Sequence, residues 1–362
     1  MISDKMTPAQ RAKAKANGEP IDRLPCNPNI GNGIARIAGY KISEFNSNSD
    51  ALADAVIKSY KMFGMDGTRV FTDLFLIAEA MGAKVNKPED NTADLEEPAI
   101  DDISKIDDLK IIDPYNDGRI PVHLRAMKKV KDEIGDEVSV TASVVGPFTN
   151  AFFLIGIEKM TKMLLKDPES VHKLCEISLK SCMKLTDAAL EQGVGVTISE
   201  PLSSCTVISP KHFRNYSAPY LKRLIDYMKS KGVGNIVLHI CGKTDPIWDD
   251  LVDMGVNVLS IDDIADLKLC ADRVGDKMAV AGNVDPSAVM FAGTKEQVRK
   301  ATLKSIKEGY KAKKGFIIMS GCSLPVEAPI ENIQTMMDTV REVGWPVTDE
   351  KLEKLMAITK YE

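Results

Sequence analysis

The chain has 362 residues, a formal charge of −5, 44% hydrophobic residues and only 6% aromatics, the make-up of a soluble globular protein with an aliphatic core. The negative balance argues against nucleic acid as the main partner. No run approaches the ~20 uninterrupted apolar residues of an ordinary membrane span.

In chain order, the opening Met1-Ile-Ser-Asp-Lys-Met-Thr-Pro8 has no apolar stretch and does not read as a secretory signal. Eight runs rich in Val, Ile and Thr read as strands, at 24–28, 68–74, 138–145, 194–200, 236–241, 256–262, 277–284 and 315–322. Between them, 50–65, 120–134, 168–192, 210–231, 294–311 and 329–343 have amphipathic helical spacing. Pro168, Pro210 and Pro329 stand where the first helical turn tolerates proline. The acidic stretch 87–98 reads as a polar surface insertion. This alternation predicts an α/β fold in one domain, 1–362: a (β/α)8 TIM barrel with a short N-terminal extension. No Gly-x-Gly-x-x-Gly follows the first strand, so a dinucleotide fold has no support. The seven cysteines are odd in number and dispersed, which fits reduced thiols in a cytoplasmic protein, with metal or redox use for some.

In such barrels chemistry sits at the carboxyl ends of the strands. His239 and Cys241 end one apolar run, two residues apart, so they project to the same face. Cys322 ends another such run. If the two runs neighbour or face each other in a closed sheet, one imidazole and two thiolates converge. That donor set holds Zn²⁺ through three protein ligands and leaves a fourth position open. The alternative is one core histidine and two inert buried cysteines.

Glu200 also ends an apolar strand, where a charged carboxylate needs a partner. It is a candidate for the fourth, exchangeable metal position or for a substrate contact. Acceptance of N–H groups from the 201–204 turn is the alternative. Asp73 and Asn283 are further strand-end candidates for substrate binding, against capping of the following turn. Cys205 is a possible extra sulfur ligand or a packed loop residue. His123, His172 and His212 fall on helices without a convergent partner and read as structural.

Several segments together resemble uroporphyrinogen decarboxylase-like proteins over nearly the whole chain. They are Thr7-Pro-Ala-Gln-Arg11 with Gly18-Glu-Pro-Ile-Asp-Arg-Leu-Pro25, Thr72-Asp-Leu74 with Ala78-Glu-Ala-Met-Gly-Ala83, and Gly146-Pro-Phe-Thr149. His239-Ile-Cys-Gly242 and Gly321-Cys322 with Ala328-Pro-Ile-Glu-Asn332 are more selective. They resemble the corrinoid-dependent methyltransferase branch, which includes methylcobamide:coenzyme M methyltransferases and methyl-ether O-demethylases. The resemblance implies zinc on His239, Cys241 and Cys322. It also implies a corrinoid (methylcobalamin) on a partner protein, and a small methylated substrate or a thiol acceptor. Glu176, Glu191 and His212 repeat a spacing similar to a zinc signature proposed for the demethylases, but by pattern two of them lie on helix faces away from the strand ends.

Asp73 matches the pyrrole-binding aspartate of the decarboxylases, so a porphyrinogen decarboxylase is one alternative. Against it, only Arg36 remains of the arginine-rich substrate segment, and Ser320-Gly-Cys322 replaces a Gly-His-Gly element. A non-catalytic zinc protein, its shell closed by Glu200 or Cys205, is the other alternative.

Overall fold

A computed structural model describes residues 3–358. Seven parallel strands follow one another around a curled sheet: β1 (Thr68–Val70), β4 (Val140–Val145), β5 (Gly195–Ser199), β6 (Val237–Ile240), β7 (Val258–Ile261), β8 (Ala279–Val284) and β9 (Phe316–Ser320). Helices cross back between successive strands, as parallel pairing requires. The outer helices include Ser49–Phe63, Ile120–Ile134, Pro168–Glu191, Lys295–Gly309 and Ile330–Val343. Their apolar stripes and the outward faces of the strands form one continuous core. This is the expected TIM-barrel-like fold.

The first predicted strand, 24–28, is reduced to a single parallel bridge between Cys26 and Ile318. Asn27 donates to Ile318 O and Ile318 donates to Pro25 O, at 2.8 and 2.9 Å. Pro25 and Pro28 have no N–H to extend the ladder. On its other side Cys26 O accepts from Asp66 N at 3.0 Å, and Cys26 N donates to the Asp66 carboxylate at 2.8 Å. This short segment therefore spans the gap between β9 and β1. Buried Arg11 and Arg23 hold it there, pairing with Asp22, Asp66 and Asp4. The N-terminal extension thus helps to close the barrel.

Two other expectations are corrected. The acidic stretch 87–98 is not all loop: β3 (Asp94–Glu97) pairs antiparallel with β2 (Lys84–Asn86) outside the main sheet. The helix expected over 210–231 is interrupted by a π turn at Phe213–Ser217, just before Pro219. Proline cannot donate to the preceding turn, and the wider turn accommodates that.

The barrel interior differs around its circumference. Val237, Val258, Ala279, Ala281, Ile317 and Met319 make a small apolar lining on β6 to β9. On β4 and β5 the inward side chains are hydroxyls, with Ser143 and Ser199 in contact at 3.1 Å. Small residues on both sides leave a cavity of about 1080 Å³ along the barrel axis.

Candidate metal centre

The β5–β6 register pairs Ser199 with His239, and the β6–β7 register pairs His239 with Ser260, so all three face inward. Cys241 follows on the same face just past the end of β6, and Cys322 lies two residues past β9. His239 Nε2 is 3.3 Å from Cys241 Sγ, and Cys241 Sγ is 3.8 Å from Cys322 Sγ. Among the described residues these three make the one group of His, Cys, Asp or Glu donors close enough to share a metal, with all ligand atoms within 4.8 Å.

A tetrahedral zinc with Zn–S of ~2.3 Å and Zn–N of ~2.0–2.1 Å places two sulfurs ~3.8 Å apart and a sulfur and nitrogen ~3.5 Å apart. The side chains stand at that spacing. The hydrogen bond between the thiols lowers the pKa of Cys322 and raises that of Cys241, with His239 and burial adding to the respective effects.

Neighbouring groups hold the ligands. Ser260 Oγ lies 3.1 Å from His239 Nδ1 and can accept its proton, which leaves Nε2 as the lone pair facing the sulfurs. Asp262 accepts from Gly242 N at 2.6 Å and so anchors the loop after Cys241. A Cβ at Gly321 would overlap the backbone of Asp263, so glycine there lets the end of β9 close on that loop and present Cys322.

The other strand-end candidates are not brought to this cluster. Glu200 is one residue beyond inward-facing Ser199, so its side chain points outward into the helix layer. It is fully buried. Its Oε1 accepts from Thr149 N at 2.6 Å, at the start of the helix Pro147–Ile155, while Oε2 has no hydrogen-bond partner among the described residues. Burial raises its pKa to about 7 against the opposing effect of the Thr149 bonds. The fourth-ligand expectation for Glu200 is thus corrected by strand parity, and the N–H it accepts comes from Thr149, not from the 201–204 turn.

Asp73 is only 3% exposed, and Arg119 engages both its oxygens, at 2.8 and 3.2 Å. Phe75 N and Thr72 Oγ1 also donate to it. Burial would raise its pKa, but Arg119 holds it below the ordinary value. Its acceptor sites are filled from within the chain, unlike those of a carboxylate left open for pyrrole N–H groups. Asn283 donates to Asp262 O and Ala265 O at 3.0 and 2.8 Å, so its amide fastens the loop beside the cluster.

His123 is buried against Thr72 and Arg119 O, with its pKa lowered to about 4 by burial and then by Arg119. Cys205 is half-buried in its loop and outside the metal group. Glu176 pairs with Arg223, Glu191 with the Tyr115 hydroxyl, and His212 packs on Tyr216, so that spacing assembles no site. Arg119 and Ser260 escaped sequence reasoning. Arg119 precedes a helix and Ser260 lies inside an apolar strand, and only their tertiary partners single them out.

These elements are those of a known family. The uroporphyrinogen decarboxylase (URO-D) family model matches residues 7–343, and the chain belongs to that family. It is 27% identical over 339 residues to a methylcobamide:CoM methyltransferase of Methanosarcina barkeri, covering 90% of this chain and 95% of that protein. It is 25% identical over 357 residues to a methylated-thiol–coenzyme M methyltransferase of Methanosarcina mazei, covering 97% and 93%. Against a uroporphyrinogen decarboxylase of Psychromonas ingrahamii it is 23% identical over 308 residues, covering 83% and 85%. The solved structure of a methyltransferase from Methanosarcina mazei superposes with a TM-score of 0.83 at 22% identity, covering 93% of this chain and 99% of that one. That likeness shows the shared fold.

Proposed function

We propose that this protein is a zinc-dependent methyltransferase. It would move a methyl group between a small molecule, either a thiol acceptor or a methylated donor such as a methyl ether, and the cobalt of a corrinoid carried by a partner protein. The observation that carries the reading is the convergence of His239, Cys241 and Cys322 at the carboxyl-end rim, at spacings a tetrahedral zinc requires. The methyltransferases among its relatives support the reaction class.

When bound there, zinc supplies Lewis acidity that lowers the pKa of a thiol or polarises the leaving oxygen of an ether. The chain's own residues do the positioning. Ser260 fixes the His239 tautomer, Asp262 and Gly321 set the two sulfur-bearing loops, and Asn283 ties the 262–265 loop beside them. Three ligands leave one position for the substrate heteroatom. With a thiol acceptor, His239, Cys241 and Cys322 would hold the zinc that keeps the substrate sulfur as a thiolate, its proton released to solvent, and the partner's corrinoid would supply the methyl group. The rim must stay open to a corrinoid face, so the partner docks over the strand ends. No helix among the described residues is long and apolar enough to cross a membrane.

The test combines metal analysis with the absorbance change of methylcobalamin in the presence of small thiols, and of cobalt(I) corrinoid in the presence of methyl ethers. Expected are about one zinc per chain and turnover that disappears in His239→Ala. Wild-type turnover by a zinc-free protein would overturn the reading.

A further inference from the structure

Cys241 and Cys322 are set apart from the other thiols of the chain. Cys26, Cys175, Cys182 and Cys270 are buried, whereas Cys205, Cys241 and Cys322 are half-buried and reach solvent. Among the described residues, Cys241 and Cys322 are the one pair of thiols in contact, their sulfurs 3.8 Å apart although 81 residues separate them in the chain. Both stand just past the ends of strands, β6 and β9, that are not neighbours in the sheet.

Protein contacts hold this pair together. Gly242 N donates to the Asp262 carboxylate at 2.6 Å, and a Cβ at Gly242 would overlap the hydroxyls of Ser204 and Thr206. The turn after Cys241 is thereby fixed from two sides. The segment around Cys322 is tied on both flanks: Asn29 N donates to Ser320 Oγ at 3.1 Å, and Leu324 N donates to Asn29 O at 2.8 Å. None of these bonds uses a metal-ligating atom, so the sulfurs stay neighbours when zinc leaves. A disulfide has an S–S length of ~2.05 Å, so closure from 3.8 Å requires an approach of roughly 1.8 Å. That movement falls to two side chains in loops, outside the hydrogen-bond ladder of the sheet.

We propose that Cys241 and Cys322 are a zinc-gated oxidation site: once the metal is gone, a peroxide converts them to an intramolecular disulfide. One sulfur attacks a peroxide oxygen and becomes a sulfenic acid as the O–O bond breaks and the first water leaves. The second sulfur displaces the sulfenic hydroxyl, forms the S–S bond and releases the second water. Two thiols and one hydrogen peroxide thus give one disulfide and two waters, each sulfur losing one electron to the peroxide oxygens. Bound zinc blocks the step by engaging both sulfurs as ligands. The disulfide in turn removes two of the three ligands, so the oxidised protein takes up no zinc until a dithiol reduces it. This property goes beyond methyl transfer, and its test needs neither corrinoid nor turnover.

Protein is stripped of metal with a chelator under reducing conditions, freed of reductant and exposed to one equivalent of hydrogen peroxide. Free thiols counted after denaturation should fall by two from seven, and the mass should drop by two hydrogens. Peptide mapping should join Cys241 to Cys322. Added zinc should not bind this form, and binding should return after treatment with dithiothreitol. Zinc-loaded protein under the same exposure should keep all seven thiols. Cys322→Ser should form no cross-link and should stop at a dimedone-reactive sulfenic acid on Cys241, while Cys205→Ser should behave as wild type. Far-ultraviolet circular dichroism checks that each variant folds. A disulfide to Cys205, or no cross-link in the metal-free wild type, would overturn the proposal. Cross-linking at the same rate with and without zinc would overturn the gating and would also remove the two sulfurs as zinc ligands.

Discussion

The rim of the barrel falls into two arcs that look alike in sequence and behave differently in space. On the β6 and β9 arc, His239, Cys241 and Cys322 face inward or stand at loop tips, and they meet. On the β1 and β5 arc, the strand-ending carboxylates Asp73 and Glu200 are turned into the scaffold, one held by Arg119 and the other by the start of a helix. The thiols divide in the same way. Cys241 and Cys322 are half-buried at the rim, whereas Cys175 and Cys182 are fully buried next to Glu200, with burial pushing their pKa up. A donor at a strand end becomes a site only when its parity turns it inward and no neighbour has already taken its lone pairs.

The comparison breaks most decisively through zinc. Cys241→Ser and Cys322→Ser should each lower metal content from about one per chain to near zero, while Cys182→Ser, on the other arc, should keep it. Elemental analysis decides this, and full zinc in the two rim variants would dissolve the distinction. In His239→Ala the far-ultraviolet circular dichroism should stay barrel-like while methyl transfer is lost.

The scaffold arc should respond in stability instead. Arg119→Ala strands the buried Asp73 carboxylate and should cost about 3–5 kcal/mol in urea unfolding, with zinc retained. Loss of zinc without loss of stability would reverse the roles of the two arcs.

Glu200 gives a pH signature. Its folded pKa of about 7 lies above the ordinary value of 4.5, so between those pH values the folded state holds more protons than the unfolded one. Stability therefore falls as pH rises through that window, by roughly 3 kcal/mol at 1.36 kcal/mol per unit. Glu200→Gln should flatten this slope and unfold at higher urea than wild type at pH 8. An unchanged slope in the variant would remove Glu200 as its source.

The smallest effect is expected from Ser260→Ala. Losing the group that orients His239 should weaken zinc affinity or activity about 10–100-fold. A competition titration with a chelator measures it, and wild-type affinity would show that the strand alone orients the ring.

Much of this was legible in the chain. Seven of the eight expected strands occur at or within their ranges, and the same-face logic of His239 and Cys241 needed only a period of two. The misjudged strand at 24–28 contained its own warning, since Pro25 and Pro28 limit it to a bridge. Glu200 was misplaced because an apolar run does not reveal which of its two faces lies inside a barrel. The register of Ser199 with His239 settles that. The pairing of Asp73 with Arg119 could not be read from the chain because Arg119 is remote in the sequence and arrives from the start of the helix Ile120–Ile134.

Local chemistry in the sequence determined that there would be parallel strands alternating with helices, that the strands would end in loops, and that three soft donors would stand at such ends. These follow from periodicity, turn residues and ligand type, which act over a few neighbours. Tertiary structure alone decided which strand ends meet, which carboxylates are neutralised, and that small inward side chains would leave a cavity along the barrel axis. Such outcomes depend on barrel closure and register, which bring together residues far apart in the chain and set whether a charge meets a partner, a metal or an empty space.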